Sequence, residues 1–250
     1  MTVYFIGAGP GDPELITVKG QRLIRQCPVI IYAGSLVPPA VLEGHTAETV
    51  INSAELNLEQ IIEALRSAHE NGQDVARVHS GDPSLYGAIG EQIRHLRELG
   101  IDYQIIPGVT ATAASAALLG CELTLPELAQ TVILTRYGDS SPMPAGEQLT
   151  DLARHRSTLA IHLGVKHLER IVADLLPHYG PDCPVAVIHR ATWPDQDWVR
   201  GTLRDIVELT AAKDFRRTAL ILVGHVLGDA PFAESALYRA GHAHLYRPAS

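Results

Sequence analysis

The sequence predicts an α/β fold in two α/β domains, the first over residues 1–118 and the second over residues 119–250. Three observations predict it. Short β-branched apolar runs recur along the chain. Stretches with helical periodicity lie between them, the alternation expected of strand–helix–strand units. An Ala-rich stretch, Val109–Leu119, breaks at Gly120-Cys121-Glu122, and the division is placed there.

The apolar runs are Val3–Ile6, Val29–Tyr32, Asp74–Val78, Tyr103–Ile106, Thr131–Leu134, Thr158–Leu163, Val185–His189 and Ala219–Val223, with Gly or Pro close by. Most are apolar at consecutive positions, as strands covered on both faces are, so largely parallel pairing is expected at first. Between them, Leu58, Ile61, Ile62 and Leu65 stand at helical spacing with Glu59, Glu63 and Arg66 outside. Ile89, Ile93, Leu96 and Leu99 repeat the pattern, and Gly100 follows as a stop. Val165–Leu176 gives a further helix that Pro177 is expected to end. The stretch Asp139–Gly146, with Pro142 and Pro144, reads as an exposed loop.

The chain has 250 residues, 46% hydrophobic and only 5% aromatic, so aliphatic side chains must fill its cores. Its formal net charge of -8 argues against nucleic acid or an anionic membrane as a partner, while leaving room for a local basic cleft. Cys27, Cys121 and Cys183 form no CxxC pattern and read as reduced core residues, which together with the lack of a signal-like N-terminus points to a cytoplasmic protein. No apolar run approaches the roughly 18 residues a membrane helix needs.

Three glycine-containing loops follow predicted strands. The first is Gly7-Ala8-Gly9-Pro10-Gly11-Asp12. It is not a good dinucleotide fingerprint. Its glycines are spaced GxGxG, Pro10 removes an N–H from a would-be phosphate cradle, and Val29–Tyr32 ends on no acidic residue for a ribose. A nicotinamide-dependent oxidoreductase therefore stays only a distant alternative; a tight turn, or close approach to another ligand, also fits. Asp12 can cap the segment that follows. The second loop is Ser80-Gly81-Asp82-Pro83-Ser84-Leu85-Tyr86-Gly87, where Asp82 can accept from ligand hydroxyls or an amine. The third is Pro107-Gly108-Val109-Thr110-Ala111, opening a helix of small residues against which something bulky can lie. Each is compatible with a purely structural turn.

Taken together, GAGPGDPELIT, SGDPSLYG and PGVTA resemble, in order and spacing, three signatures of the tetrapyrrole (class III) methyltransferases. Ala160–Val165, Pro184–Ile188 and Thr218–Gly224 are similar to later segments of that family, so the resemblance covers about residues 1 to 230. Tyr32-Ala33-Gly34-Ser35-Leu36-Val37 resembles the branch that methylates C11 of precorrin-4.

The resemblance implies two α/β domains of the tetrapyrrole methylase type with a ligand cleft between them, and a homodimer. It implies S-adenosyl-L-methionine as cofactor, S-adenosyl-L-homocysteine as product, and a tetrapyrrole of the precorrin-4 or cobalt-precorrin-4 type as substrate in cobalamin biosynthesis. Carried over by position, the cofactor contacts are Pro10, Ser80, Gly81, Asp82, Leu85, Tyr86, Thr110, Ala111, Leu163, Ala191 and Ala219. Relatives often carry Met at Leu163, a swap that conserves volume. A substrate rich in carboxylates calls for guanidinium groups near loop ends. Arg136 and Arg190 are the candidates, with Lys166 beside them. Asp12 is the candidate polar group near the reacting ring, orienting it or assisting proton loss. No GxSxG or HExxH occurs, and the His242–His244 pair reads as an exposed tail rather than a metal site. In-line methyl transfer asks for positioning and exclusion of water more than for a strong base. Alternatives are methylation of another corrin carbon (C20, C17 or C1), methylation of uroporphyrinogen at C2 and C7, or a non-catalytic sensor of the cofactor.

Overall fold

A computed structural model gives the fold, and it describes residues 1–138, 142–235 and 245. The chain divides into two compact units, one of Met1–Ala114 with Arg190–Asp195, the other of Ser115–His189 with Gln196–Ser250. Six residues from late in the sequence thus belong to the first unit.

The first unit holds a five-stranded sheet in the order β3-β2-β4-β1-β5. Its strands are β1 (Thr2–Gly7), β2 (Val29–Tyr32), β3 (Thr49–Asn52), β4 (Val75–His79) and β5 (Asp102–Ile106). Every neighbouring pair is parallel. Helix α1 (Val18–Gln26) packs Leu23 and Ile24 with Ile6, Ile30, Ala76, Val78 and Ile106 on one face. Helices α2 (Leu58–Glu70) and α3 (Ile89–Glu98) cover Val3, Phe5, Val29, Ile31 and Val75 on the other. Coverage of both faces explains the unbroken apolar runs. Because all strands are parallel, the loops leaving β1, β2, β4 and β5 emerge at one edge, where such sheets bind ligands. Helix α2 starts on a reciprocal cap: Asn57 accepts from the Gln60 N–H, and the Gln60 side chain accepts from the Asn57 N–H.

The second unit holds a sheet of order β6-β7-β10-β8-β9. These are β6 (Val132–Arg136), β7 (Thr158–His162), β8 (Pro184–His189), β9 (Asp197–Thr202) and β10 (Ala219–Val223). Only β6 and β7 pair in parallel; the other three pairs are antiparallel. Helices α5 (Leu149–Ala153), α6 (Leu168–Tyr179) and α7 (Ile206–Ala211) bury Leu149, Leu168, Ile171, Leu175 and Ile206 against Leu159, Ile161, Val187 and Ile221. The remaining helix, α4 (Ala111–Leu119), carries the division between the units.

The helix expected over Val165–Leu176 differs at both ends. Val165–His167 forms a separate 3-10 turn, and α6 runs through Pro177 to Tyr179. Pro177 lies in the last turn, where its ring forfeits one helical bond near an end that frays in any case, and Gly180 closes the helix at φ +75°. Two strands, β3 and β9, lacked an apolar run to mark them. Both are edge strands with exposed positions, and β9 carries Gly201. Of the expected loop Asp139–Gly146, residues 142–146 are exposed or half-buried and 139–141 lie outside the described residues, as do His242 and His244.

Candidate functional site

The three glycine loops meet. Gly7, at the end of β1, stands against Gly108 of the third loop and Gly81 of the second: a Cβ built on Gly7 would lie 2.6 Å from the Gly108 Cα and 2.6 Å from the Gly81 carbonyl oxygen. Main chain touches main chain there, and only glycine permits it. The first and second loops also pair directly, Gly81 N–H donating to the Gly9 carbonyl (2.7 Å) and Ala8 N–H to the His79 carbonyl (2.8 Å).

Asp82 fastens the second loop to the third. Its Oδ1 accepts from the Ser84 N–H (2.8 Å) and its Oδ2 from the Gly108 N–H (2.9 Å). Thr110 opens α4, its hydroxyl accepting from the Ala113 N–H. Leu85 is half-buried, and Tyr86 is an exposed aromatic held at φ +56°, an uncommon conformation for a bulky residue that marks a site worth reading functionally. Ser80 and Ala111 lie half-buried beside these groups in sequence. Pro10, Ser80, Gly81, Asp82, Leu85, Tyr86, Thr110 and Ala111 therefore belong to loops at one sheet edge.

Asp12 acts as a cap. Its carboxylate accepts from the Glu14 N–H (2.9 Å), starting the 3-10 turn Pro13–Leu15, while its own N–H donates to the Thr192 hydroxyl (3.0 Å). The partner segment, Arg190–Asp195, lies on this first loop. Trp193 Nε1–H donates to the Pro10 carbonyl (2.8 Å). A Cβ on Gly11 would come within 2.5 Å of that same nitrogen, so the third glycine of GxGxG sits under an indole rather than open to a pyrophosphate. Arg190 stacks on the same indole: its guanidinium carbon is 4.1 Å from the Trp193 ring centroid, and the group is ion-paired with Asp195. Ala191, between them, is buried.

Four predicted residues fall in the second unit. Leu163 follows β7 in left-handed backbone (φ +58°) with two thirds of its surface exposed, an apolar side chain held outward. Ala219 begins β10 opposite His189 and packs on the core. Arg136 ends β6 and, with Tyr137, Gln148, Arg170 and Asp174, lines a cavity of about 510 Å³, in which the Tyr137 hydroxyl donates to Asp174 (3.0 Å). Lys166 is exposed on the rim of a smaller cavity of about 350 Å³, which Lys213 also lines.

Sequence reasoning missed the supports of the second loop. Arg77, buried in β4, donates to Gln92 Oε1 (3.1 Å) and to the Ile31 carbonyl (3.3 Å). Gln92 in turn donates to the carbonyl of Ala88, which ends the loop in left-handed backbone. Burial, reinforced by the charge of Arg77, pushes the His79 imidazole down to about 3, so it is neutral. Burial alone lowers His162, at the end of β7, to about 4. A charged residue in a run otherwise apolar, Val75-Ala76-Arg77-Val78, was the available signal. Trp193 was equally visible as one of only two tryptophans. Among the described residues no group of His, Cys, Asp and Glu could hold a metal ion, and no helix is long and apolar enough to cross a membrane.

Comparison with known proteins identifies the family of the chain. A model of the tetrapyrrole (corrin/porphyrin) methylases matches residues 2–207. The chain is 77% identical over 248 residues to a precorrin-4 C(11)-methyltransferase of Pseudomonas aeruginosa, covering 99% of each. Among solved structures, it is similar to the cobalamin biosynthetic enzyme cobalt precorrin-4 methyltransferase, with a TM-score of 0.88 and 41% identity over 91% of this chain and 96% of that one. It is also similar to a uroporphyrin-III C-methyl transferase of Thermus thermophilus complexed with S-adenyl homocysteine, with a TM-score of 0.76 and 30% identity over 91% of this chain and 99% of that one.

Proposed function

We propose, from the premise that this chain belongs to the tetrapyrrole (corrin/porphyrin) methylases, how its residues serve methyl transfer to C11 of precorrin-4 or cobalt-precorrin-4. The chain is a methyltransferase of cobalamin biosynthesis that uses S-adenosyl-L-methionine. The observation that carries the assignment of its site is the contact of Gly7, Gly81 and Gly108, which gathers three separate turns at one edge of a parallel sheet.

That edge fits the cofactor. A Cβ on Gly81 would meet nothing nearer than the Val109 carbonyl oxygen at 3.9 Å, so the space over the second loop is open to close approach by a ligand. Ser80, Asp82 and Thr110 supply polar groups beside that space, and Leu85, Tyr86 and Ala111 supply apolar surface. Pro10, Ala191, Leu163 and Ala219 complete the proposed contacts. When bound, S-adenosyl-L-methionine supplies a methyl group already activated on a sulfonium, which an electron-rich ring carbon can take in line.

The protein's part is to orient and to exclude water. Asp82, committed through both oxygens to the Ser84 and Gly108 amides, fixes the loops rather than moving a proton. Asp12 keeps one carboxylate oxygen on the Glu14 amide, and its other oxygen is the group proposed to face the ring. Arg136, Arg190 and Lys166 are proposed to pair with substrate carboxylates; Arg190 meets a substrate only in competition with Asp195. The same reading makes the protein a cytoplasmic homodimer with its functional division at residues 118/119.

Incubation of the purified protein with precorrin-4 and methyl-labelled cofactor, followed by carbon NMR of the product, tests the assignment. Label is expected at C11. Label at C20, C17 or C1 would move the chain to another reaction of the family, and cofactor binding without turnover would make it a sensor.

A further inference from the structure

We infer that Trp193 is a positioning residue for the methyl-transfer site, holding the first glycine loop in place through the Pro10 carbonyl and the bare face of Gly11; this rests on the reading of that loop as part of the cofactor and substrate site.

The argument starts from Gly11. It is buried, and its backbone has no need of glycine's conformational freedom, since it is not among the positive-φ residues. What requires glycine is the indole: a Cβ would stand 2.5 Å from Trp193 Nε1 and 2.9 Å from its Cγ. The ring therefore lies directly on the loop's main chain. Its N–H is spent on the Pro10 carbonyl, one residue earlier, which fixes the ring's rotation as well as its place. Neighbouring contacts hold the ring from its own side. Arg190 lies over it at 4.1 Å and is anchored by Asp195, and the Thr192 hydroxyl accepts from the Asp12 N–H. Three consecutive loop residues, Pro10, Gly11 and Asp12, are thus each engaged by one short segment.

The segment itself is strained to reach this position. Arg190 (φ +49°) and Thr192 (φ +70°) both occupy the left-handed region, which non-glycine residues, and β-branched Thr above all, populate sparsely. Two such residues two positions apart persist only where the surroundings over-determine them, and they cluster where geometry serves function. Packing alone would be met by an apolar residue; the donor, the glycine beneath it and the strained flanks together specify an indole.

Trp193→Phe keeps an aromatic ring and removes the donor, leaving the buried Pro10 carbonyl without its partner. Isothermal titration with S-adenosyl-L-homocysteine and steady-state kinetics on the full chain are expected to show the cofactor Kd and KM raised about five- to tenfold and kcat changed less, with the protein still folded and its melting temperature lowered by only a few degrees. Gly11→Ala is expected to weaken binding in the unaltered background and to cost clearly less in a Trp193→Ala background, where the clash is gone. Unchanged Kd and KM in folded Trp193→Phe, or equal cost of Gly11→Ala in both backgrounds, would overturn the inference while leaving the cofactor site standing. Failure of the unaltered protein to bind S-adenosyl-L-homocysteine would overturn the site and the inference together. A readout independent of these variants is Trp198→Phe, which leaves Trp193 as the one tryptophan of the sequence. Its emission is expected to change on adding S-adenosyl-L-homocysteine, and an unchanged spectrum at saturation would count against the role.

Discussion

Replacing Gly7 with Ala isolates the contact on which the site depends. Gly7 has ordinary backbone, so the substitution adds no conformational strain, only a methyl group. That methyl would lie 2.6 Å from the Gly108 Cα and 2.7 Å from its nitrogen. Carbon–carbon contact is comfortable at about 3.5 Å, so the turns must part by roughly 0.9 Å, and every atom in the way is main chain that cannot rotate aside. Overpacking of this kind costs about 1–3 kcal/mol. Parting the turns also stretches the bond from Gly108 N–H to Asp82, a charged acceptor, worth about 1.5–3 kcal/mol when well made and less here because Asp82 is only half-buried. A loss of roughly 3 kcal/mol is expected, a large part of the 5–15 kcal/mol that holds a typical domain. Denaturant unfolding of Gly7→Ala beside the unaltered protein measures it, and titration with S-adenosyl-L-homocysteine is expected to show at least about tenfold weaker binding. Gly90→Ala is the control. Gly90 lies in α3 with nothing within 4 Å of its would-be Cβ, so Ala there is expected to add about 0.5–1 kcal/mol. If Gly7→Ala unfolds with the unaltered protein and binds as tightly, the three turns do not share a load and the reasoning fails.

Asp82→Ala is expected to weaken S-adenosyl-L-homocysteine about tenfold or more by releasing the Ser84 and Gly108 amides; equal affinity by calorimetry would remove the second loop from the site. His79 and His162 stay neutral when folded down to about 3 and about 4, whereas in the unfolded chain they take up protons near their ordinary value of 6.5. Stability is therefore full above pH 6.5 and falls as pH drops through that value toward the folded pKa, by up to about 1.4 kcal/mol per pH unit for each imidazole. Unfolding midpoints at pH 6 and pH 5 should show this slope, and His79→Leu should remove one imidazole's share of it; an undiminished slope would assign the loss to other groups. Burial pushes the thiols of Cys27 and Cys183 up to about 12, so at pH 8 a thiol reagent should label half-buried Cys121 first, and rapid labelling of all three in the folded protein would contradict the packing.

The parts of the fold that could be read from the residues are those where burial is two-sided. Val29–Tyr32 and Ala219–Val223 are apolar at every position or nearly so because helices or neighbouring strands cover them, and both strands have the expected limits. The edge strands β3 and β9 were illegible for the converse reason, since half-exposed positions carry Thr, Asn, Asp and Arg. Pro177 misled because a proline's cost depends on how many helical bonds remain beyond it, which local sequence does not disclose. At the site, the glycines were visible as loops, but their mutual contact is a tertiary fact that no spacing encodes. The same holds for Asp12 and Arg190. Their residue types suggested chemistry, and the structure occupies much of each with structural work, a cap for one and an ion pair with Asp195 for the other.

The most direct test follows the backbone amides of isotope-labelled protein by NMR as S-adenosyl-L-homocysteine is added. Gly9, Gly81, Asp82, Gly108 and Thr110 come from three turns far apart in sequence, and one binding event should shift all of them at a common saturation point. Shifts confined to a single turn, or centred on amides remote from all three, would show that the cofactor is held elsewhere.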